Sequence, residues 1–220
     1  PEIQKKDLSS TILDIMNLEY IKNIKDLKLF LNELIEPPNI IFVNSSLQKL
    51  YSLGCLTEIK NNGLLNLMGK TMSKFRSIEP TMSKILLTSY YHNCLNEICI
   101  ILSLILLTDS RMESLFLEYH LSKKNKKLSP NEILKIKNDI HDNRLKDCYS
   151  SDGDFLTLLK TYTKYKESKN KNEFIEKYNL NKKILSNAES KIKQMKMIVL
   201  KIVQPAEEKK KYFMAVNAKL

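Results

Sequence analysis

The chain has 220 residues, 43% hydrophobic and 28% charged, which suits a soluble folded protein with one good core or two small ones and argues against disorder. Its formal net charge of +11 favours a polyanionic partner, nucleic acid being the commonest; a lysine- and asparagine-rich surface set by biased codon usage is the alternative. The longest apolar stretch, Ile98 to Leu107, is about half of a bilayer span and reads as a core helix, so no membrane partner is expected.

Cys55, Cys94, Cys99 and Cys148 have neither CxxC nor zinc-finger spacing, and their apolar or helical contexts suit reduced, buried thiols in an intracellular protein, cytoplasmic or nuclear. His92, His120 and His141 are not at metal-ligand spacing and have no flanking acidic pair, so none reads as catalytic. A start at Pro1, followed by charged residues, reads as a piece of a longer chain without a signal peptide.

In chain order, residues 7–18 carry Leu8, Ile12, Ile15 and Met16 on one helical face, with Asp7 as cap. A second apolar segment, Ile24 to Ile35, stops at Pro37-Pro38. Residues 44–53 form a helix capped by Asn44 and ended by Gly54. Cys55 to Ile59 and Leu64 to Leu67 then flank Asn62-Gly63, a hairpin signal. Helix, helix and hairpin is the order of a winged-helix domain, placed at 1–77.

From residue 78 the pattern is helical throughout. It predicts helices over Thr81–Tyr91, over the nearly all-apolar Leu95–Leu107, and over 111–121 with Met112, Leu115, Phe116 and Tyr119 at helical spacing. Lys123 to Lys127 is a basic loop. Ser129-Pro130-Asn131-Glu132 is a capping box opening a helix. Beyond Gly153 come Phe155–Tyr165, Phe174–Leu180, Lys183–Val203 ended by Pro205, and a short terminal helix from Glu207. The fold class is mainly α: a winged-helix domain with a small β-hairpin, then an α-helical bundle over 78–220.

Several blocks, in order, resemble the region that follows the ATPase core of DEAH-box RNA helicases. They are Pro1-Glu2-Ile3, Pro37-Pro38, Leu50-Tyr51-Ser52-Leu53-Gly54-Cys55-Leu56, and the series Gly63, Leu67, Gly69, Met72, Phe75 and Pro80. Cys94 with Glu97 follows the same pattern. Asp152-Gly153-Asp154-Phe155-Leu156-Thr157-Leu158-Leu159 is similar to the family's Gly-Asp-His-Leu-Thr-Leu-Leu block, with Phe155 in place of histidine. Lys193 stands at an arginine of the family and loses its bidentate geometry.

The resemblance implies that the bundle is the ratchet-like, helicase-associated domain. It implies a channel around single-stranded RNA closed by two RecA-like motor domains of the same chain, and a winged helix that can dock an activator protein. The segment has no GxxxxGK[ST] loop and no DEAH tetrad, so it has no cofactor of its own and is not catalytic by itself; ATP and Mg belong to the parent helicase. The expected function is an accessory region that helps grip and move single-stranded RNA. A free-standing winged-helix nucleic-acid-binding protein and a protein-binding scaffold are the alternatives.

Candidate nucleic-acid contacts are Lys70 and Arg76 beyond the wing, Asp154, Phe155 and Thr157 at a helix start that the resemblance puts beside the RNA tunnel, and Lys193. Each has an ordinary structural reading beside it. Asp154 can cap its helix through backbone N–H groups, Phe155 can pack, and the lysines can form a solvated face. Glu97, on an apolar helix, is expected in a buried ion pair.

Overall fold

The computed structural model describes residues 7–75, 78–118 and 129–217, the last stretch from 204 onward as helical backbone. It is mainly helical, in two compact units: residues 1–92 with 198–220, and residues 93–197. Ten α-helices run through the described residues, which contain no extended strand.

The first unit contains α1 (Ser9–Met16), α2 (Ile24–Asn32), α3 (Ile40–Ser52), α4 (Leu67–Met72) and α5 (Pro80–Tyr91). Helix α1 packs on α2, α3 and α5, and α4 packs on α5. Ile12, Leu13 and Met16 of α1 are buried together with Ile24, Leu27 and Leu31 of α2 and Val43, Leu47 and Leu50 of α3. Spacings of three, four and seven residues put them on one face of each helix, and their burial is what makes such short helices stable.

Asparagine supplies most of the side-chain caps among the described helix starts. The side chains of Asn23, Asn39 and Asn66 accept from Asp26 N, Ile41 N and Gly69 N at the starts of α2, α3 and α4. In the second unit Asn170 accepts from Glu173 N and Asn181 from Lys183 N. Each of these five asparagine caps is worth about 1 kcal/mol over alanine. Helix α3 therefore begins at Ile40 rather than 44: Asn39, directly after the two prolines, is its cap, and Asn44 is exposed within it. At its other end Gly54 adopts φ +75°. Gly54 N donates to Tyr51 O and Cys55 N to Leu50 O, the paired bonds of a Schellman termination.

The expected hairpin is reduced to one antiparallel bridge, Leu56 to Leu65, flanked by Thr57 N donating to Leu64 O at 3.0 Å and Asn66 N to Cys55 O at 3.0 Å. Gly63 does not take the positive φ of a two-residue Asn-Gly turn. Its value is space: a Cβ there would lie 2.2 Å from Glu58 O and 2.6 Å from Ile24 Cδ1. The loop turns inward because its carbonyls cap α2, Ile24 N donating to Gly63 O and Lys25 N to Asn61 O. Those are two of the orphan donors that every helix start must satisfy.

The second unit contains α6 (Leu95–Leu107), α7 (Pro130–Asp147), α8 (Asp154–Glu167), α9 (Lys171–Lys177) and the first part of α10 (Lys182–Asn217). Helix α6 packs on α8, and α8 on α9. Helix α6 is buried along Cys99 to Leu104, as an all-round apolar helix must be. Glu97 is exposed rather than held in a buried ion pair, because it lies in the first turn before the buried stretch begins. The capping box at Ser129 and Glu132 forms as expected.

Residues 112–118 are not helical beyond a single 3-10 turn, Met112–Ser114. Phe116 instead forms an antiparallel bridge with Leu180; Leu117 N donates to Asn179 O and Asn181 N to Leu115 O. Arg144 of α7 secures the crossing. Its Nε donates to Tyr178 O at 2.8 Å, its Nη2 to Leu117 O at 2.7 Å and Asn179 O at 2.9 Å, and its guanidinium lies 5.4 Å from the Phe116 ring centre. Helix α10 is one element that continues through Pro205, so neither a stop at Pro205 nor a separate terminal helix is present. Proline removes one bond from such a helix without ending it. Tyr119, His120 and the basic run 123–127 lie outside the described residues.

Candidate nucleic-acid interface

Helix α8 carries three of the six candidate residues, and its start is shaped by Gly153. This residue is the N-cap, at φ +109° and ψ −179°, a conformation essentially confined to glycine, with open space where a Cβ would sit. The cap makes no side-chain hydrogen bond, so Asp154 lies in the first turn and does not cap the helix. Thr157 is buried: its Oγ1 accepts from Ser150 N at 2.9 Å, and its carbonyl accepts from Thr161 Oγ1 at 2.7 Å. The hydroxyl thus ties the 150–153 turn to the helix and faces inward. Lys160 Nζ donates to Tyr149 O at 2.7 Å, holding the same turn from the next helical level.

What the turn presents outward is Phe155, 62% exposed, beside the exposed carboxylates of Asp152 and Asp154. An exposed ring suits stacking on a base. Two carboxylates at a helix start oppose the phosphate-binding tendency of its N–H groups. The site therefore has the chemistry of a base platform more than of a phosphate cradle.

Lys193 lies on α10 and faces a groove of about 350 Å³ formed with α6 and the later turns of α8. The lining includes Asn96 and Ile100 of α6, Tyr162 and Lys166 of α8, and Glu189, Ile192, Lys193 and Lys196 of α10. Glu189 is shared by two cations, Lys166 at 3.1 Å and Lys193 at 3.2 Å, and those hydrogen bonds hold its carboxyl below its ordinary range. Lys196 Nζ donates to the Asn96 side-chain oxygen. Ile100, Ile192 and Tyr162 are buried and form an apolar floor. Burial, with Glu189 nearby, pushes the Tyr162 phenol up to about 12, so it stays neutral.

The structure thus joins Asp154, Phe155 and Thr157 on one helical turn and puts Lys193 in a groove on the same unit. Lys70 is exposed on α4, in the other unit, and Arg76 lies outside the described residues. Sequence reading missed Lys166, Lys196 and Asn96, because only the packing of three helices brings them to Lys193; the i, i+4 spacing of Glu189 and Lys193 was the one local signal. The described residues contain no cluster of three or more His, Cys, Asp or Glu side chains able to hold a metal ion, and no helix long and apolar enough to cross a membrane.

Residues 79–158, from just before α5 into α8, match the family model of the helicase associated domain (HA2), ratchet-like. That match, and the relative reported next, agree with the resemblance to the C-terminal region of DEAH-box RNA helicases. Among curated relatives, it is 29% identical over 195 residues to the pre-mRNA-splicing factor ATP-dependent RNA helicase prp22 of Schizosaccharomyces pombe. The alignment covers 89% of this chain and 14% of that protein, so the chain spans about a seventh of that relative's length.

Proposed function

We propose that the chain is the accessory C-terminal region of an ATP-dependent RNA helicase, whose share of the work is to grip single-stranded RNA while separate motor domains move it. The observation that carries this reading is the ratchet-like match over residues 79–158 in a chain of net charge +11. Residues 1–77 act as a winged-helix module with a wing cut down to the Leu56–Leu65 bridge, and residues 78–220 as the ratchet bundle. ATP and Mg are bound by the parent protein, and the partners are single-stranded RNA, the two RecA-like motor domains and an activator docking on the winged helix. The splicing-factor relative supports an intracellular, nuclear setting.

The free-standing DNA-reading alternative is weakened by the make-up of α3, the helix that such a protein would lay on base edges: Lys49 is its one charged side chain and it has no arginine. A gel shift comparing single-stranded RNA with duplex DNA separates the readings. Weak binding of single-stranded RNA that falls steeply with salt is expected. Preferential, sequence-specific duplex binding, or affinity unchanged by salt, would refute the RNA-grip reading.

A further inference from the structure

The groove of α6, α8 and α10 combines features that the Phe155 turn does not supply: three cations on its rim, an amide, and an apolar floor. Its volume of about 350 Å³ accommodates one nucleotide. The rim carries Lys166, Lys193 and Lys196 against Glu167 and Glu189, so the cations outnumber the carboxylates. The Glu189 carboxylate bridges two of these lysines in the position an anionic oxygen of a ligand would take. All three side chains are substantially exposed, at 38% for Lys166, 49% for Glu189 and 71% for Lys193. Ion pairs this exposed are worth little and exchange readily for another anion.

We infer that this groove is a one-nucleotide subsite for a single RNA strand, in which a backbone phosphate displaces Glu189 from Lys166 and Lys193. Lys196 and Asn96 make the far wall, and the base or ribose lies on the floor of Ile100, Ile192 and Tyr162. Glu189 is then an internal competitor. It keeps the lysines ordered and weakens capture, so that the strand is held loosely enough to advance. This inference deepens the RNA-grip reading and rests on it.

The test uses the full 220-residue chain and a fluorescein-labelled oligouridine of about twelve nucleotides, within the span that one single-strand-binding fold covers. Anisotropy titrations are run on the wild type, Lys193→Gln with Lys196→Gln, and Glu189→Gln, with circular dichroism melts to show that each remains folded. The lysine double variant should bind about tenfold more weakly, with a salt slope shallower by about 0.7 for each phosphate left without its cation. Glu189→Gln should bind severalfold more tightly. If the wild type binds and the lysine variant binds equally well, the groove is refuted while the RNA-grip reading stands. If Glu189→Gln is unchanged or weaker, the displacement idea is wrong. Competition by oligoglutamate as effective as by unlabelled oligouridine would mean that the groove takes an acidic peptide instead. No binding by the wild type overturns both readings.

Discussion

Replacing Arg144 tests the second unit's architecture most sharply, because one guanidinium satisfies three carbonyls at 2.7, 2.8 and 2.9 Å and lies over Phe116. Two of these bonds are partly buried and one is exposed, and Leu117 O and Asn179 O have second donors in Asn179 Nδ2 and Leu117 N. Tyr178 O loses the most. Counting about 1.5 kcal/mol for that charge-assisted bond, about half as much for each of the others, and about 0.5 kcal/mol for the ring contact, Arg144→Met should cost about 3.5 kcal/mol. At about 3 °C per kcal/mol for a chain of this length, the melting temperature of the unfolding step that includes this unit should fall by about 10 °C. Arg144→Lys should recover less than half of that, since an ammonium has no planar fork to span three carbonyls. The assay is urea or thermal denaturation followed by circular dichroism. A loss below about 1 kcal/mol for the methionine variant, or full rescue by lysine, would refute the reasoning.

Other consequences are as specific. Gly63→Ala should destabilise the first unit by about 2 kcal/mol because its Cβ meets backbone at 2.2 Å, whereas Gly153→Ala should cost about 1 kcal/mol from its φ of +109° alone, with nothing nearby to clash; matched denaturation curves check both. Partial burial raises the Asp7 carboxyl, but hydrogen bonds from Lys49 and Ser9 outweigh it and bring the group down to about 2 from 3.8. A carboxyl with a lowered folded-state value contributes stability above its unfolded value and loses it as pH falls, so stability should drop between about pH 4 and pH 2, and Asp7→Asn should flatten that window in acid titrations. Cys55, Cys99 and Cys148 are buried, and burial raises the first two thiols to about 11. Iodoacetamide at pH 8 should therefore label the native chain at Cys94 alone by mass spectrometry, the other three reacting only on unfolding.

How legible the fold was depended on how local its causes are. Helix α6 was readable to the residue because its run from Ile98 to Leu107 is apolar but for Ser103, and the Ser129–Glu132 box states its own start. Gly54 was readable because a Schellman ending needs only its neighbours. Residues 112–118 were not, since the spacing of Met112, Leu115 and Phe116 also fits a 3-10 turn, and the partner of Phe116 lies at Leu180, far downstream. Asn62-Gly63 has the letters of a tight turn, yet Gly63 serves close approach to Glu58 and the capping of α2, which local sequence does not encode. The same limit applied to the site. Asp154, Phe155 and Thr157 could be named as a block, but which side chain turns inward, and which lysines join Lys193, are decided by helix packing.

The central claim is that the chain holds single-stranded RNA through its ratchet half. Photocrosslinking with a 4-thiouridine oligonucleotide, followed by peptide mapping, tests it directly. The crosslinks should fall within the second unit, on the Phe155 turn and the peptides of α6, α8 and α10 that form the groove. Crosslinks confined to α3 and the Leu56–Leu65 loop of the first unit would contradict it.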